Sequence, residues 1–568
     1  MEPALELIRR QEKLWENLES RIITDPDSYW YGSTDITICN VTSLLAAAVP
    51  LYGHPQSNYY KSRRLLGQIE RASMHLLRRQ HAGGCISLID CNIDSPPDTA
   101  FAVHLVGLAY KLLVRLPMEE TVAAVELLNS FLKRAKECLL TGGIHTPNHR
   151  WVMCGALALL YELFPEEELK RRAFAYLNEG FDLTEYGEWT ERSNAVYNAH
   201  CDLQLYHVYR VFGHSPSLEA ARRNLSMMLY MLHPNGEIVT EYSSRQDMGK
   251  IERMNGEYEI VYRLMAAETK EPMFAAMARL AADTVRMPTI ELLYWMVFPE
   301  LMRLTEPAAA SLPDSYTVLF HSGREVKVPK AIGNGQREGA ENGQRSFGAV
   351  HGAAVLRHRR GPLSVTVMAG QPDWLYLQYG DARLVGLRLA VGFFGLGGVS
   401  FPSIRRLDDE TYRLEVELEW GYLAPLNEAV AQPYNGSFVD MPNSLRELTH
   451  VCRLPVTVDL TLEEHAVNLS VAVEQAKPLI VQLVASFDPA GGLAGEHLKK
   501  VRSSLMQLHA GEAEYRTGSH YIRLSPGAHE HEYAVVRGDS MNEEHANVTV
   551  NWMGPVRKQL RIECGSCQ

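Results

Sequence analysis

The chain has 568 residues, a formal charge of −12, 46% apolar residues and 22% charged residues. That length exceeds what one hydrophobic core serves and calls for two large domains. The acidic balance excludes general affinity for nucleic acid, and no apolar run approaches the roughly 18 to 20 residues needed to span a bilayer, so neither nucleic acid nor membrane is an expected partner.

The N-terminal "MEPALELIRRQEKLWENLES" reads as a charged amphipathic helix without the pattern of an export signal. Nine cysteines, an odd number without framework spacing, read as reduced core thiols. The expected location is cytoplasmic.

Helical periodicity then continues through "SRRLLGQIERASMHLLRRQ", "DTAFAVHLVGLAYKLLVRL", "EETVAAVELLNSFLKRAKECLL", "HRWVMCGALALLYELF", "NAVYNAHCDLQLYHVYRVF", "SLEAARRNLSMMLYML", "EYEIVYRLMAAETK" and "IELLYWMVFPELMRL". Polar loops follow helices around Gly84, Gly143, Gly187 and Gly236. If successive helical hairpins close into an arc or ring, these loops share one rim. That rim would carry Asn148 and His149, then Glu188, Glu191 and Arg192, then Glu237, Glu241, Tyr242 and Arg245.

From about Ser311 the texture changes to short alternating strands such as "SYTVLFHSG", "LSVTVMAG" and "TYRLEVELEW", which predict antiparallel β structure. The expected junction is "EPAAASLPDS", 306–315, and "AIGNGQREGAENGQRS", 331–346, is a polar Gly-rich loop. The boundaries are therefore 1–310 helical and 311–568 β, with room for a smaller terminal sheet from about residue 480. Helices followed by strands make an α+β, multidomain chain.

In "TPNHRW", Asn148 reads first as the N-cap of the next helix, whose positive end and exposed donors suit a carboxylate, and His149 and Arg150 add a titratable group and a permanent cation. On the following polar helix Tyr197, His200, Gln204 and His207 share one face; Tyr197 and His200 lie beside the rim, while His207 is deeper and reads as packing. Arg245, Gln246 and Asp247 form a mixed-charge loop. "CNIDSPPDTAF" puts Asn92, Asp94 and Asp98 just before another helix, where Asp98 reads as a cap and a sugar-hydroxyl contact is the lesser reading. The CxxC of Cys564 and Cys567 reads as an exposed tail, His351 and His358 lack identifiable metal-binding partners, and neither a phosphate loop nor a dinucleotide fingerprint occurs. No cofactor or metal is expected.

The helical half, the β half, "PNHRW" and "GEWTERSNAVYNAH" together resemble the heparinase II/III-like and alginate-lyase-like polysaccharide lyases. The resemblance implies an N-terminal incomplete (α/α) toroid, a C-terminal antiparallel β-sandwich, and β-elimination on a uronic-acid-containing glycan. It implies that Asn148 and His149 contact the uronate carboxylate and that Tyr197 transfers the proton, with His200 or His149 as base if Tyr197 acts only as acid. Arg150, Glu191, Arg192, Glu241, Tyr242, Arg245, Asp247 and Asn92 are the candidate substrate-binding residues. The segment "PDWLYLQYGDARL", 372–384, is expected to face the cleft, and the expected partner is an anionic, imported oligosaccharide. Elimination needs a neutralised carboxylate and a stabilised enolate, and a Tyr of ordinary pKa about 10 needs nearby positive charge from Arg192 or Arg245 to act as base. The rivals are a glycoside hydrolase using two of the rim carboxylates and a non-catalytic glycan-binding protein. Oligomeric state is left open.

Overall fold

Proline opens many of the helices and sets where they start. Pro96 and Pro97, Pro147 and Pro216 stand in first turns, where their missing N–H groups cost nothing. The computed structural model describes residues 3–34, 38–116, 119–284, 290–302, 307–330, 350–475 and 477–567, so the Gly-rich loop 331–346 lies outside the described residues. The helices of the first half are α1 (Pro3–Glu19), α2 (Ile38–Gly53), α3 (Arg63–Arg78), α4 (Pro96–Arg115), α5 (Val122–Thr141), α6 (Pro147–Leu163), α7 (Glu167–Leu177), α8 (Tyr197–Phe212), α9 (Ser215–Met228), α10 (Gly256–Thr269), α11 (Pro272–Thr284) and α12 (Glu291–Val297). The last stops before Pro299, which cannot continue it.

Burial sorts these helices into two rings. In α6 every residue from Trp151 to Leu160 is buried, whereas α7 buries only the stripe Leu169, Ala173, Tyr176 and Leu177. An all-round buried helix belongs inside and a one-stripe helix outside. The contacts agree: α2, α4, α6, α8, α10 and α12 adjoin in sequence and α12 returns to α2, while α3, α5, α7, α9 and α11 pack outside them. Gly155 permits the closest of these approaches, since a Cβ there would stand 2.0 Å from Gln204 Oε1 on α8. Because each inner helix is followed by an antiparallel outer one, the inner helices run the same way and their N-termini share one rim. Among the described residues no helix is long and apolar enough to cross a membrane.

Cys85, at the start of the hairpin Ile86–Ser95, is disulfide-bonded to Cys138 of α5 across 53 residues. This corrects the reading of all cysteines as reduced thiols. Closing a loop of that length stabilises a fold by about 4 kcal/mol in the chain-entropy account.

The chain divides into two units, the first comprising 1–232, 236–240 and 251–312, the second 233–235, 241–250 and 313–568. The second unit is a sandwich of an eight-stranded and a ten-stranded sheet, antiparallel except where Leu505–Leu508 pairs with Ala546–Met553. Strand Thr411–Leu423 shows the alternation that builds it, with Tyr412, Leu414, Val416 and Leu418 directed into one core shared by both sheets. A separate terminal sheet does not form among the described residues. Ile480–Phe487 pairs with Ala382–Val391 in one sheet and Val556–Ser566 with Ala466–Val473 in the other, because their apolar faces complete the common core. The CxxC is likewise no exposed tail: Cys564 is a buried core residue of the last strand, opposite Ile522. The segment 372–384 forms a hairpin of the ten-stranded sheet, with Trp374 buried in the core.

Candidate active site

Four inner helices bring their first turns together. Phe101 of α4 stacks on His200 of α8 at 4.7 Å between ring centroids and meets His149 of α6 edge-on at 6.3 Å. Glu257, in the first turn of α10, receives a 2.7 Å hydrogen bond from His200 Nδ1. With Nδ1 engaged by the carboxylate, Nε2 is the ring's remaining polar atom; it is buried and has no partner among the described residues. His145 adds an edge-on contact to His149 at 4.6 Å. Asn148, His149, Tyr197 and His200 thus come from two adjacent inner helices at one rim, Tyr197 as the first residue of α8 with a half-buried side chain.

Asn148 is not the cap of α6. Thr146 is the N-cap residue, without a side-chain cap bond, and the capping anion is Glu191, whose Oε2 accepts from the Asn148 backbone N–H at 2.8 Å and from its Nδ2. Proline at the first position shifts Asn148 one residue into the helix, and the carboxylate arrives from a loop more than forty residues on. Nδ2 also donates to Thr146 Oγ1 at 3.2 Å, so both amide protons are engaged, while the buried Oδ1 has no partner among the described residues. The amide therefore offers a ligand an acceptor, and the positive helix end is already met by Glu191.

The same pattern recurs around the rim. Ser95, not Asp98, caps α4; Asp98 at the third helical position gives its N–H to Ser95 Oγ, and its carboxylate accepts from that hydroxyl and from Asn92 Nδ2 at 2.8 Å. Asp94 lies in the hairpin before it at φ +48°. The starts of α4, α6 and α10 therefore carry Asp98, Glu191 and Glu257. At the start of α8 the N-cap is Val196 without a side-chain cap bond, and the Tyr197 N–H donates to Ser193 Oγ at 3.2 Å.

Arg150 is turned to the loop beyond α7, with NH2 2.6 Å from Asp182, NH1 donating to the Gly180 carbonyl and its guanidinium over Trp151. Arg192 has φ +42°, a costly conformation for a side-chain-bearing residue, and is 5% exposed; burial lowers its pKa against the opposing charge of Glu188. The loop that presents it is pinned at Gly187, whose carbonyl accepts from Asn224 at 2.7 Å and where a Cβ would stand 2.2 Å from the Arg223 carbonyl. Asn194 holds the approach to α8: its Nδ2 donates to Val239 O at 2.9 Å and its Oδ1 accepts from Asn198 at 3.1 Å. Deeper in the ring, His207 Nε2 lies 2.6 Å from Tyr294 Oη, which also lies 3.2 Å from His104 Nε2. Burial keeps both histidines neutral, pushing His207 far down and, with the charge of His200, His104 to about 3. Gln204 packs against Gly155. These deeper groups are internal packing.

Glu241, Tyr242, Arg245 and Asp247 belong to the second unit, not to the helical rim. Glu241 accepts from Thr366 Oγ1 at 2.7 Å and lies 3.4 Å from His233 Nε2, whose Nδ1 is 3.0 Å from Ser364 Oγ. Buried Arg357 donates to Ser364 Oγ at 3.0 Å and to Thr366 Oγ1. Burial pushes the Glu241 carboxyl up, but His233, Arg357 and Thr366 outweigh it and hold it at about 2. Tyr242 and Asp247 are buried, Asp247 accepting from Ser243 Oγ at 2.7 Å, and Arg245 is half-buried. His358 accepts or donates at 2.8 Å with Thr317 Oγ1, and burial with Arg360 and Arg357 keeps it neutral with a pKa of about 4. Among the described residues no three His, Cys, Asp or Glu side chains are grouped to hold a metal.

Over its whole length the chain is similar in fold to polysaccharide lyases of known structure. Chondroitin AC lyase of Streptomyces coelicolor A3, in complex with chondroitin sulphate, matches 100% of this chain and 80% of its own at TM-score 0.51 and 12% identity. Heparinase III matches 100% and 92% at TM-score 0.51 and 10% identity. The fold is that of the (α/α) toroid polysaccharide lyases. A Paenibacillus xanthan lyase shares this toroid and sandwich over 100% of the chain and 57% of its own length, at TM-score 0.50 and 9% identity. No family model matches the sequence, and no curated protein matches it either.

Sequence reasoning missed Glu257, Phe101 and His145. Glu257 was detectable as an acid in the first turn of a helix capped by Asn255, whose Oδ1 accepts from Tyr258 N–H at 3.1 Å. Phe101 and His145 carried no signal beyond apolar periodicity and loop polarity.

Proposed function

We propose that the protein is a lyase that cleaves a uronic-acid-containing polysaccharide or oligosaccharide by β-elimination, leaving an unsaturated uronate. The observation that carries this reading is the pair of adjacent inner-helix starts that puts Asn148 and His149 on α6 and Tyr197 and His200 on α8 at one rim. The positive end of a helix favours negative charge in its first turn. There it stabilises the enolate that forms when the sugar loses the proton next to its carboxylate.

Tyr197 takes that proton and returns it to the leaving glycosidic oxygen, which requires both on one face of the sugar. His149 meets the uronate carboxylate, and Asn148 Oδ1, an acceptor, takes a hydrogen bond from a sugar hydroxyl or from the carboxyl when protonated. His200 acts from one turn below: its ring is fixed by Glu257 and Phe101, its Nε2 is buried, and it orients the site around Tyr197. Arg192, buried in the loop that leads into α8, supplies permanent positive charge. No step calls for a cofactor.

The test is incubation with a panel of uronate oligosaccharides, following ultraviolet absorbance of the unsaturated product together with reducing ends. Absorbance rising with reducing ends is the expected result. Reducing ends without absorbance would sink elimination in favour of hydrolysis, and binding without either would leave a glycan-binding protein.

A further inference from the structure

A recess lies where segment 25–34 crosses α3, and one face of that helix with its C-cap holds the segment by its carbonyls. Gln68 Nε2 donates to Gly32 O at 3.2 Å, His75 Nδ1 to Tyr31 O at 3.1 Å, and Arg79 NH2 to Tyr29 O. Gly32, at φ +84°, lets the segment lie flat, since a Cβ there would stand 3.2 Å from the Arg71 carbonyl. With its carbonyls turned to the helix, the segment contributes rings to the wall: the Arg79 guanidinium sits 3.2 Å from the Tyr29 centroid, and Trp30 stacks with His75.

The recess holds about 100 Å³ and is lined by Tyr29, Tyr31, Arg71, His75, Arg78 and Arg79. A second recess of about 90 Å³ runs past Trp30 and Arg79 to Ser87 and Ile89, on the same hairpin that carries Asn92 at the rim. Three guanidiniums gather here in a chain of net charge −12. Arg71 engages only the neutral Gln68 Oε1, at 3.0 and 2.6 Å, and no ion pair among the described residues involves Arg71, Arg78 or Arg79. His75 donates through Nδ1, and burial with the charge of Arg79 keeps it neutral, with a pKa of about 4. Its buried Nε2 is thus an acceptor, without a partner among the described residues.

We propose that this recess is a distal subsite for an acidic sugar residue: Arg71 and Arg78 take its sulfate or carboxylate, the Tyr29 side packs against the ring, and His75 Nε2 accepts from a hydroxyl. Guanidinium suits planar or tetrahedral oxyanions, and aromatic walls suit the apolar face of a sugar. The choice of a sugar rests on the lyase reading; the cationic recess itself does not. The subsite makes affinity grow with chain length, because a glycan long enough to reach it along the rim is held at two places.

The experiment is calorimetric titration of the full chain carrying Tyr197→Phe, so that the ligand persists. The probes are octasaccharides of chondroitin sulphate, heparan sulphate and oligogalacturonate, with a neutral cello-octasaccharide as control. Arg71→Gln with Arg78→Gln, both exposed positions, should weaken binding of the best acidic probe by about tenfold or more, the loss of charge-assisted contacts, and Arg→Lys should restore part of it. Thermal melting unchanged from the parent certifies the fold. Binding of the double Gln variant within about twofold of its parent, equal affinity for the neutral control, or no binding of any acidic probe would each overturn the proposal. The lyase reading fails separately: if wild-type protein yields no unsaturated product while the arginine variants still lose binding, the subsite stands and the chemistry does not.

Discussion

Two glutamate–histidine pairs, one in each unit, have opposite states of completion. Glu241 and His233 in the β unit are closed: both imidazole nitrogens are engaged, and the carboxylate is shared with Thr366 beside the buried Arg357. Glu257 and His200 in the helical unit are open, with His200 Nε2 buried and unpartnered among the described residues. A satisfied polar network specifies structure, whereas one with capacity left over has something still to bind or orient. The closed pair is a stabilising one and the open pair is the candidate for the site, although both look alike as residue types.

The comparison breaks most visibly at the residue beside the open pair. Tyr197→Phe should lower turnover by about 10²- to 10⁴-fold, the usual worth of a proton-transfer group, with unchanged thermal melting. Wild-type turnover in a folded variant would falsify the assignment.

Next comes the closed pair, which should act on stability alone. Its carboxyl is held at about 2, below the ordinary value of 4.5. A depressed folded pKa means stability fully present above about 4.5 and lost as pH falls through about 2, on the order of 3 kcal/mol in all. Glu241→Gln should therefore lower denaturant stability at neutral pH and flatten its acid dependence in that window. Unchanged acid dependence would show that the network is not what stabilises this part of the unit.

Glu257→Gln should cost about 1 to 3 kcal/mol of transition-state stabilisation by leaving His200 without its anionic partner. The measurement is the split between kcat and KM. A loss confined to kcat fits a positioning role at the site, and a loss only in thermal stability would make the open pair structural like the closed one. The smallest effect is expected at Glu191→Ala, which uncaps α6 and should cost about 1 kcal/mol of stability. It also releases the Asn148 amide, so a change in KM for uronate substrates would accompany it.

Much of the site's position was legible locally. The Asn148–His149 pair, Tyr197 and His200 lie on helix starts, and helix starts are written in short-range signals such as proline and turn glycine. The identity of the caps was not legible. Local spacing made Asn148 and Asp98 caps, whereas Pro147 moved Asn148 inward and Glu191 came from a distant loop to serve α6. Arg150 read as one of a clamp and is instead tied by Asp182, a partner thirty-two residues on. The loop bearing Glu241, Tyr242, Arg245 and Asp247 read as a fourth rim loop because its layout repeats the others, yet its carboxylate is matched by Thr366 and His233 in the β unit. Cys85 and Cys138 showed no framework spacing, because their proximity is created by hairpin and helix packing.

The sequence by itself determined the order of elements, the change from helices to strands near residue 311 and the placing of a tyrosine and histidines at helix starts, since periodicity, proline and glycine act over a few residues. Tertiary structure alone brought Glu191 to the start of α6 and Glu257 to His200. It also gathered three arginines beside Tyr29 and Trp30. These outcomes depend on charges meeting across tens of residues, where only the fold sets distance and burial.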